Sequence, residues 1–136
     1  MTLRSQIKRD EDLRLKPYRD TTGHLTIGYG RNLETRGITL TEAEAMLTTD
    51  INEHEAALRR ALPWTDALSE CRRAVLVNMA INMGLGGLLG FRKMLAALEA
   101  GDYVTAAAEM LDSTWATQVK GRAPRLAEQM ATDTWV

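Results

Sequence analysis

Apolar residues first recur at helical spacing at Leu3 and Ile7, and one more step of four lands on Glu11. A short first helix is therefore predicted, with a carboxylate on its inward stripe. After Pro17 and the turn-rich Thr21-Thr22-Gly23 the period drops to two: Leu25, Ile27 and Tyr29 share one face, Thr26 and Gly28 the other, the pattern of a small antiparallel hairpin. Helical spacing returns after Gly37. Two overlapping capping boxes, Thr39 to Glu42 and Thr41 to Glu44, open a helix. Its stripe of Ala43, Leu47, Ile51, Leu58 and Leu62, with His54 in the gap, ends before Pro63. At 1.5 Å per residue this helix is about 30 Å long. A long helix after a small sheet suggests a connector between two lobes.

Residues 66–83 read as a nearly all-apolar helix, with Ala74, Val75, Leu76, Val77, Met79, Ala80, Ile81 and Met83 around Asn78 and Asn82, and Gly84 reads as its C-cap. This helix is predicted to be the centre of the core. The glycine-rich stretch 84–90 reads as a turn, followed by a helix from Phe91 to Ala100 stopped by Gly101. Another runs from the N-cap Asp102 to about Ser113, and a last one starts near Arg122, where Pro124 is tolerated in the first turn. The pattern predicts an α+β fold, predominantly α, without repeats or long linkers.

Composition adds bounds. A chain of 136 residues with 45% apolar and 26% charged positions is long enough to bury a core without a disulfide or metal staple. The single cysteine, Cys71, lies among apolar neighbours and reads as an inert buried thiol. His24 and His54 stand apart from any ligand cluster, so neither a structural metal nor a cofactor is expected. The formal charge is −1, which argues against a nucleic-acid partner. The signs are unevenly spread: residues 1–36 carry eight basic and five acidic groups, residues 37–56 five acidic and no basic ones. No apolar run is long enough for a membrane span, and the charged amino terminus offers no signal-peptide core. The product is expected to stay soluble where it is made, with no stable membrane association and monomer as the default state.

Among candidate groups, Asn78 and Asn82 on one helix face read either as satisfied core amides or as ligands. The glycines lack the Gly-Lys-Ser/Thr that a phosphate loop requires. Glu11, between Asp10 and Asp12, reads two ways. It is either a solvated glutamate at a fraying helix end or a carboxylic acid held partly desolvated so that its proton is available near neutral pH. Asp20 follows nine residues later at the lip of the hairpin, and Thr26 six after that. Two carboxylates in unlike surroundings are the pair that glycosidic cleavage needs, an acid for the leaving oxygen and a base or nucleophile opposite.

The stretch from Asp10 to Gly23, continuing through Leu25-Thr26-Ile27-Gly28-Tyr29-Gly30, resembles the catalytic segment of the phage T4-type lysozymes, glycoside hydrolase family 24. The helix 72–84, Gly90-Phe91, and the terminal Ser113, Trp115, Gln118, Arg122, Arg125, Thr134 and Trp135 resemble that family's C-terminal region in the same order. The resemblance implies a two-lobed lysozyme-like domain spanning 1–136. Its N-lobe would cover about 12–40, with helix 2–11 packing on the C-lobe, the connector about 41–62 and the C-lobe about 63–136.

It also implies an inverting N-acetylmuramidase that cuts the β-1,4 bond between N-acetylmuramic acid and N-acetylglucosamine of peptidoglycan glycan strands. Glu11 would be the general acid, Asp20 the carboxylate that activates water, and Thr26 the hydroxyl that positions it. Arg122 would orient Glu11, with Arg125 beside it or simply an exposed helix charge, and Asn82 replaces a family Gln at the cleft. Gly30 and Tyr18 would support the site. Inversion needs carboxyl groups about 6.5–9.5 Å apart. The implied setting is a phage or prophage endolysin, made in the host cytoplasm and reaching the wall after a holin-type protein permeabilises the membrane. A lytic transglycosylase, or a non-catalytic wall-binding module of the same fold, are the alternatives; the presence of Asp20 and Thr26 weighs against the first, and that of Glu11 and Asp20 against the second. Where the T4 protein has a His–acid pair, Arg31 and Asp50 are expected to form an ion pair. The short segment between Leu33 and Gly37 leaves no room for an additional N-lobe helix.

Overall fold

Thr2 opens the first helix: its hydroxyl accepts from Ser5 N while the Ser5 hydroxyl accepts from Thr2 N, and α1 runs over Leu3–Asp10. The computed structural model describes residues 1–136. Strands β1 (Leu13–Arg19), β2 (Leu25–Tyr29) and β3 (Arg31–Asn32) follow, forming one antiparallel sheet in the order β1-β2-β3. The hairpin predicted from the alternation is thus two strands of a three-stranded sheet. Tyr18 pairs with Thr26 and Arg19 with Leu25, and a register shift interrupts β1 between Arg14 and Tyr18. Two residues are too short for β3 to show a period, so only the pairing of Thr26 with Asn32 and Ile27 with Arg31 reveals it.

Helix α2 spans Leu40–Ala61 and is capped as the first of the two boxes predicts. Glu42 N donates to the Thr39 hydroxyl, and Thr39 N donates to the Glu42 carboxylate. The chain divides into two units within this helix, Met1–Met46 and Leu47–Val136.

The expected Arg31–Asp50 ion pair is not the one that forms. Arg31 instead makes a two-pronged bridge to Glu42, at 2.9 and 2.8 Å, and also donates to Gly37 O. Glu42 stands in the first turn of α2, directly after the short loop that Arg31 ties down. A planar guanidinium fits such a carboxylate fork better than a single distant charge. The bridge and the Thr39 bonds together lower the Glu42 carboxyl from 4.5 to about 2. A carboxyl whose folded value is depressed stabilises the fold above its unfolded value, and that stabilisation fades as pH falls from about 4.5 toward 2. Urea midpoints should therefore fall through this window for wild type, and the Glu42→Gln variant should fall less. Parallel curves for the two proteins would refute the assignment.

In the second unit a 3₁₀ turn, Pro63–Ala67, leads to α3 (Glu70–Leu89), α4 (Arg92–Glu99), α5 (Tyr103–Leu111), α6 (Thr114–Val119) and α7 (Arg122–Thr132). Helix α3 is the core element that the sequence predicts: Val75, Leu76, Met79, Ala80 and Leu88 are fully buried. They pack in one cluster with Leu58, Met94, Leu98, Met110, Ala123 and Met130. Truncating Leu76 to Ala removes a fully enclosed side chain, so unfolding in urea should show a loss of about 2–5 kcal/mol. A loss below about 1 kcal/mol would show that the site collapses around the change.

The helix breaks at Gly84 as predicted, but the stretch after it, read as a turn, is a further helical segment. Gly84 takes φ +83°, ψ 156°, after which the chain turns helical again. The reason lies in Leu88, buried completely, which the extra turn places in the core. Helix α3 also begins later than predicted, with Ser69 as N-cap accepting from Arg72 N. Helix α6 lacks a visible periodicity, being six residues long, and rests on the Ser113 cap and on Trp115, 6% exposed and set edge-on against Phe91.

The start of α3 is tied to the end of α7. Arg72 donates to Met130 O and Ala131 O while its guanidinium lies 3.5 Å from the Tyr103 ring centre, and Gln129 donates to Cys71 O. Burial pushes the Cys71 thiol up, in keeping with an inert core cysteine. No single helix is long and apolar enough to cross a membrane. The fold is of the predominantly helical α+β class predicted.

Candidate active site

Glu11 is the residue at which helical geometry gives out. It is the C-cap of α1, extended at φ −107°, ψ 132°, and its N–H still bonds Ile7 O at 2.8 Å. It is exposed in this structure, so of its two readings the solvated glutamate at a helix end is the one described, and the partly desolvated one is not. What confines its carboxyl is a glycine. A Cβ built on Gly30 would stand 2.8 Å from Glu11 Oε2 and 3.0 Å from Cδ, so the carboxyl lies against bare backbone. Gly30 also takes φ +74°, a conformation that side chains resist. Both facts demand glycine. The Gly30→Ala variant should displace the carboxyl and, with Glu11 in the acid's role that the resemblance implies, lower the rate of glycan cleavage about tenfold to a hundredfold. A wild-type rate for this variant would separate Gly30 from the placing of Glu11.

Asp20 closes the β1–β2 turn, its N–H bonding His24 O at 2.9 Å and its carbonyl accepting from Gly23 N. Its side chain is about one-third exposed. Thr22 N at 2.9 Å, the Thr22 hydroxyl at 2.7 Å and His24 N at 2.9 Å all donate to the same oxygen, Oδ1, and none of them to Oδ2. The Thr22 hydroxyl foremost, and the His24 amide next, hold the Asp20 carboxyl below its ordinary range against a smaller opposing effect of burial. Asp20 is thus ionised at neutral pH, a state suited to accepting a proton.

Thr26 is the one residue of the first unit classed as buried, at 3% exposure. Its hydroxyl donates to His24 O at 3.0 Å, which leaves the oxygen's lone pairs as acceptors. The turn therefore brings Asp20 and Thr26 together through one residue, His24, with Tyr18 opposite Thr26 on β1. Thr22 and His24 went unnoticed as site residues. The signal present was an Asp two residues before a Thr in a turn, the pattern of a side chain bonding its own backbone.

Asn82 and Arg122 lie in the second unit. The Asn82 amide oxygen accepts the Trp115 indole N–H at 2.9 Å; with Asn78 it is exposed, so neither is the enclosed core amide that one reading offered. Arg122 opens α7 and lines an apolar groove of about 390 Å³ with Ile51, Ala74, Val77, Ile81 and Trp135.

The chain is similar to known proteins. A family described as phage lysozyme matches residues 8–130, nearly the whole chain. The chain belongs to the phage lysozyme family. The chain is 33% identical, over 93% of its length, to the pre-baseplate central spike protein Gp5 of Enterobacteria phage T4, of which it spans only 27%. It is 26% identical to probable T4-type lysozyme 1 of Dictyostelium discoideum, over 98% of this chain and 95% of the relative. It is also 34% identical to an endolysin of Acyrthosiphon pisum secondary endosymbiont phage 1, over 77% and 72% of the two chains. Glu11, Asp20 and Thr26, the residues that the resemblance makes candidates for catalysis, fall inside the matched span.

Proposed function

We propose that this member of the phage lysozyme family is a peptidoglycan hydrolase, an N-acetylmuramidase that cleaves the β-1,4 bond between N-acetylmuramic acid and N-acetylglucosamine. The observation that carries the reading is Asp20: ionised, pinned through one oxygen and free at the other, on the same turn as a hydroxyl with open lone pairs. In this reading Glu11 protonates the leaving oxygen. Asp20 Oδ2 takes a proton from water as it attacks the anomeric carbon, and Thr26 Oγ1 accepts a hydrogen bond from that water. Arg122, Asn82, Gly30 and Tyr18 have supporting roles.

Attack by water on the face opposite the leaving group inverts the anomeric centre. Similarity to the endolysin supports a role in lysis of a bacterial host; in this reading the enzyme is made in the host cytoplasm, reaches the wall once the membrane is permeabilised, and acts as a monomer. The 33% identity to a spike protein favours a second setting, the same module carried on a virion.

The test is product analysis. Peptidoglycan digested by the protein and examined by mass spectrometry should give muropeptides with reducing N-acetylmuramic acid ends, and proton NMR at the first turnovers should show the α anomer. Anhydro ends would assign a transglycosylase, a β anomer a retaining route, and no release a non-catalytic wall-binding module.

A further inference from the structure

Beside the Asp20 carboxylate lies a hydrogen-bonding problem with one solution. The Thr22 hydroxyl stands 2.7 Å from Asp20 Oδ1 and 2.6 Å from His24 Nδ1, yet it has a single proton to give. An ionised carboxylate is only an acceptor. If the hydroxyl gave its proton to the imidazole, Oγ1 and Oδ1 would face each other with lone pairs at 2.7 Å. The hydroxyl therefore donates to Asp20, and Oγ1 must accept from His24, so the imidazole carries its proton on Nδ1.

We propose that His24 and Thr22 form a relay, Nδ1–H to Oγ1 and O–H to Oδ1, that holds the Asp20 carboxylate with Oδ2 facing the reacting water. Both are positioning residues, and the inference rests on the reading of Asp20 as the base. The backbone strengthens the arrangement. His24 N donates to Asp20 Oδ1 and His24 O accepts from Thr26, so the residue that ends the relay also links the base to the hydroxyl that positions water. The charged groups around the turn are the His24 ring, 3.9 Å from Oδ1, and the Arg19–Glu34 pair, in which Arg19 donates to Gly23 O and to Glu34. Of these, only His24 contributes a charge effect on Asp20, and it ranks behind the hydrogen bonds.

Two measurements test the relay. Long-range proton–nitrogen NMR of the wild-type protein should find neutral His24 as the Nδ1–H tautomer; the Nε2–H tautomer would overturn the proposal outright. Kinetically, Thr22→Val keeps the shape and removes the hydroxyl. Its kcat should fall about tenfold to a hundredfold with KM within about twofold, and Thr22→Ser should restore it. Removing a donor from a carboxylate raises its pKa, so the acid limb of kcat/KM should move to higher pH in Thr22→Val and, less far, in His24→Phe. A merely structural hydroxyl would leave that limb in place. Wild-type kcat and an unmoved limb in Thr22→Val, together with an inactive Asp20→Asn, would refute the relay and spare the base. An active Asp20→Asn would remove the base itself. Should Thr22→Val fail to fold, the tautomer and the His24→Phe profile still decide.

Discussion

Glu11→Gln is expected to lower the rate of peptidoglycan cleavage by about two to four orders of magnitude, the contribution of a positioned general acid, while leaving the fold intact. The second half of that statement follows from where the residue sits. Glu11 ends α1 through its backbone N–H, and its side chain touches Gly30 backbone; an amide of the same shape keeps both. A further signature separates a lost proton donor from a lost shape. Protonation matters in proportion to the basicity of the departing oxygen, so a synthetic substrate with a phenol leaving group of low pKa should recover most of the lost rate. Muropeptide release, the aryl glycoside rate and the urea midpoint give the three readings. Activity within about tenfold of wild type on peptidoglycan would take Glu11 out of the acid's role.

How much of this was written in the chain depends on the length scale of the signal. Helix α2 is legible because its box and its stop are local: Thr39 and Glu42 satisfy each other, and Pro63 forbids continuation. Helix α3 is legible as core because apolar residues surround it. The break assigned at Gly84 holds, but the turn assigned to 84–90 does not, because a glycine announces a break without telling whether the chain has something to bury beyond it; Leu88 does, and a further helical segment follows. Arg31 shows the converse. Its charge is plain in the sequence, but its partner is settled by the length of one loop, which delivers Glu42.

The site divides along the same line. Glu11, Asp20 and Thr26 stand out by spacing and by resemblance, and the turn indeed draws Asp20 and Thr26 onto His24. Thr22 and His24 carry no spacing signal of their own. His24 was a lone histidine until the turn folded its amide and ring back onto Asp20, and only the three-dimensional count of donors against lone pairs gives it a part.

Asp20→Asn carries the other large effect, again about two to four orders of magnitude in turnover, because an amide cannot take a proton from water. The substitution is unusually clean here. All three donors end on Oδ1, so an asparagine that places its carbonyl oxygen there keeps the bonds from Thr22 N, Thr22 Oγ1 and His24 N, and its NH₂ falls where Oδ2 was. The turn should persist and the base should vanish. The urea midpoint at pH 7 is accordingly expected near that of wild type. An aryl glycoside should not rescue the rate, since easing departure of the leaving group does nothing for the attacking water. That contrast with Glu11→Gln assigns the two carboxylates to opposite faces of the sugar. If the aryl substrate rescued both variants alike, Asp20 would be helping the leaving group, and the division of labour between Glu11 and Asp20 would have to be redrawn.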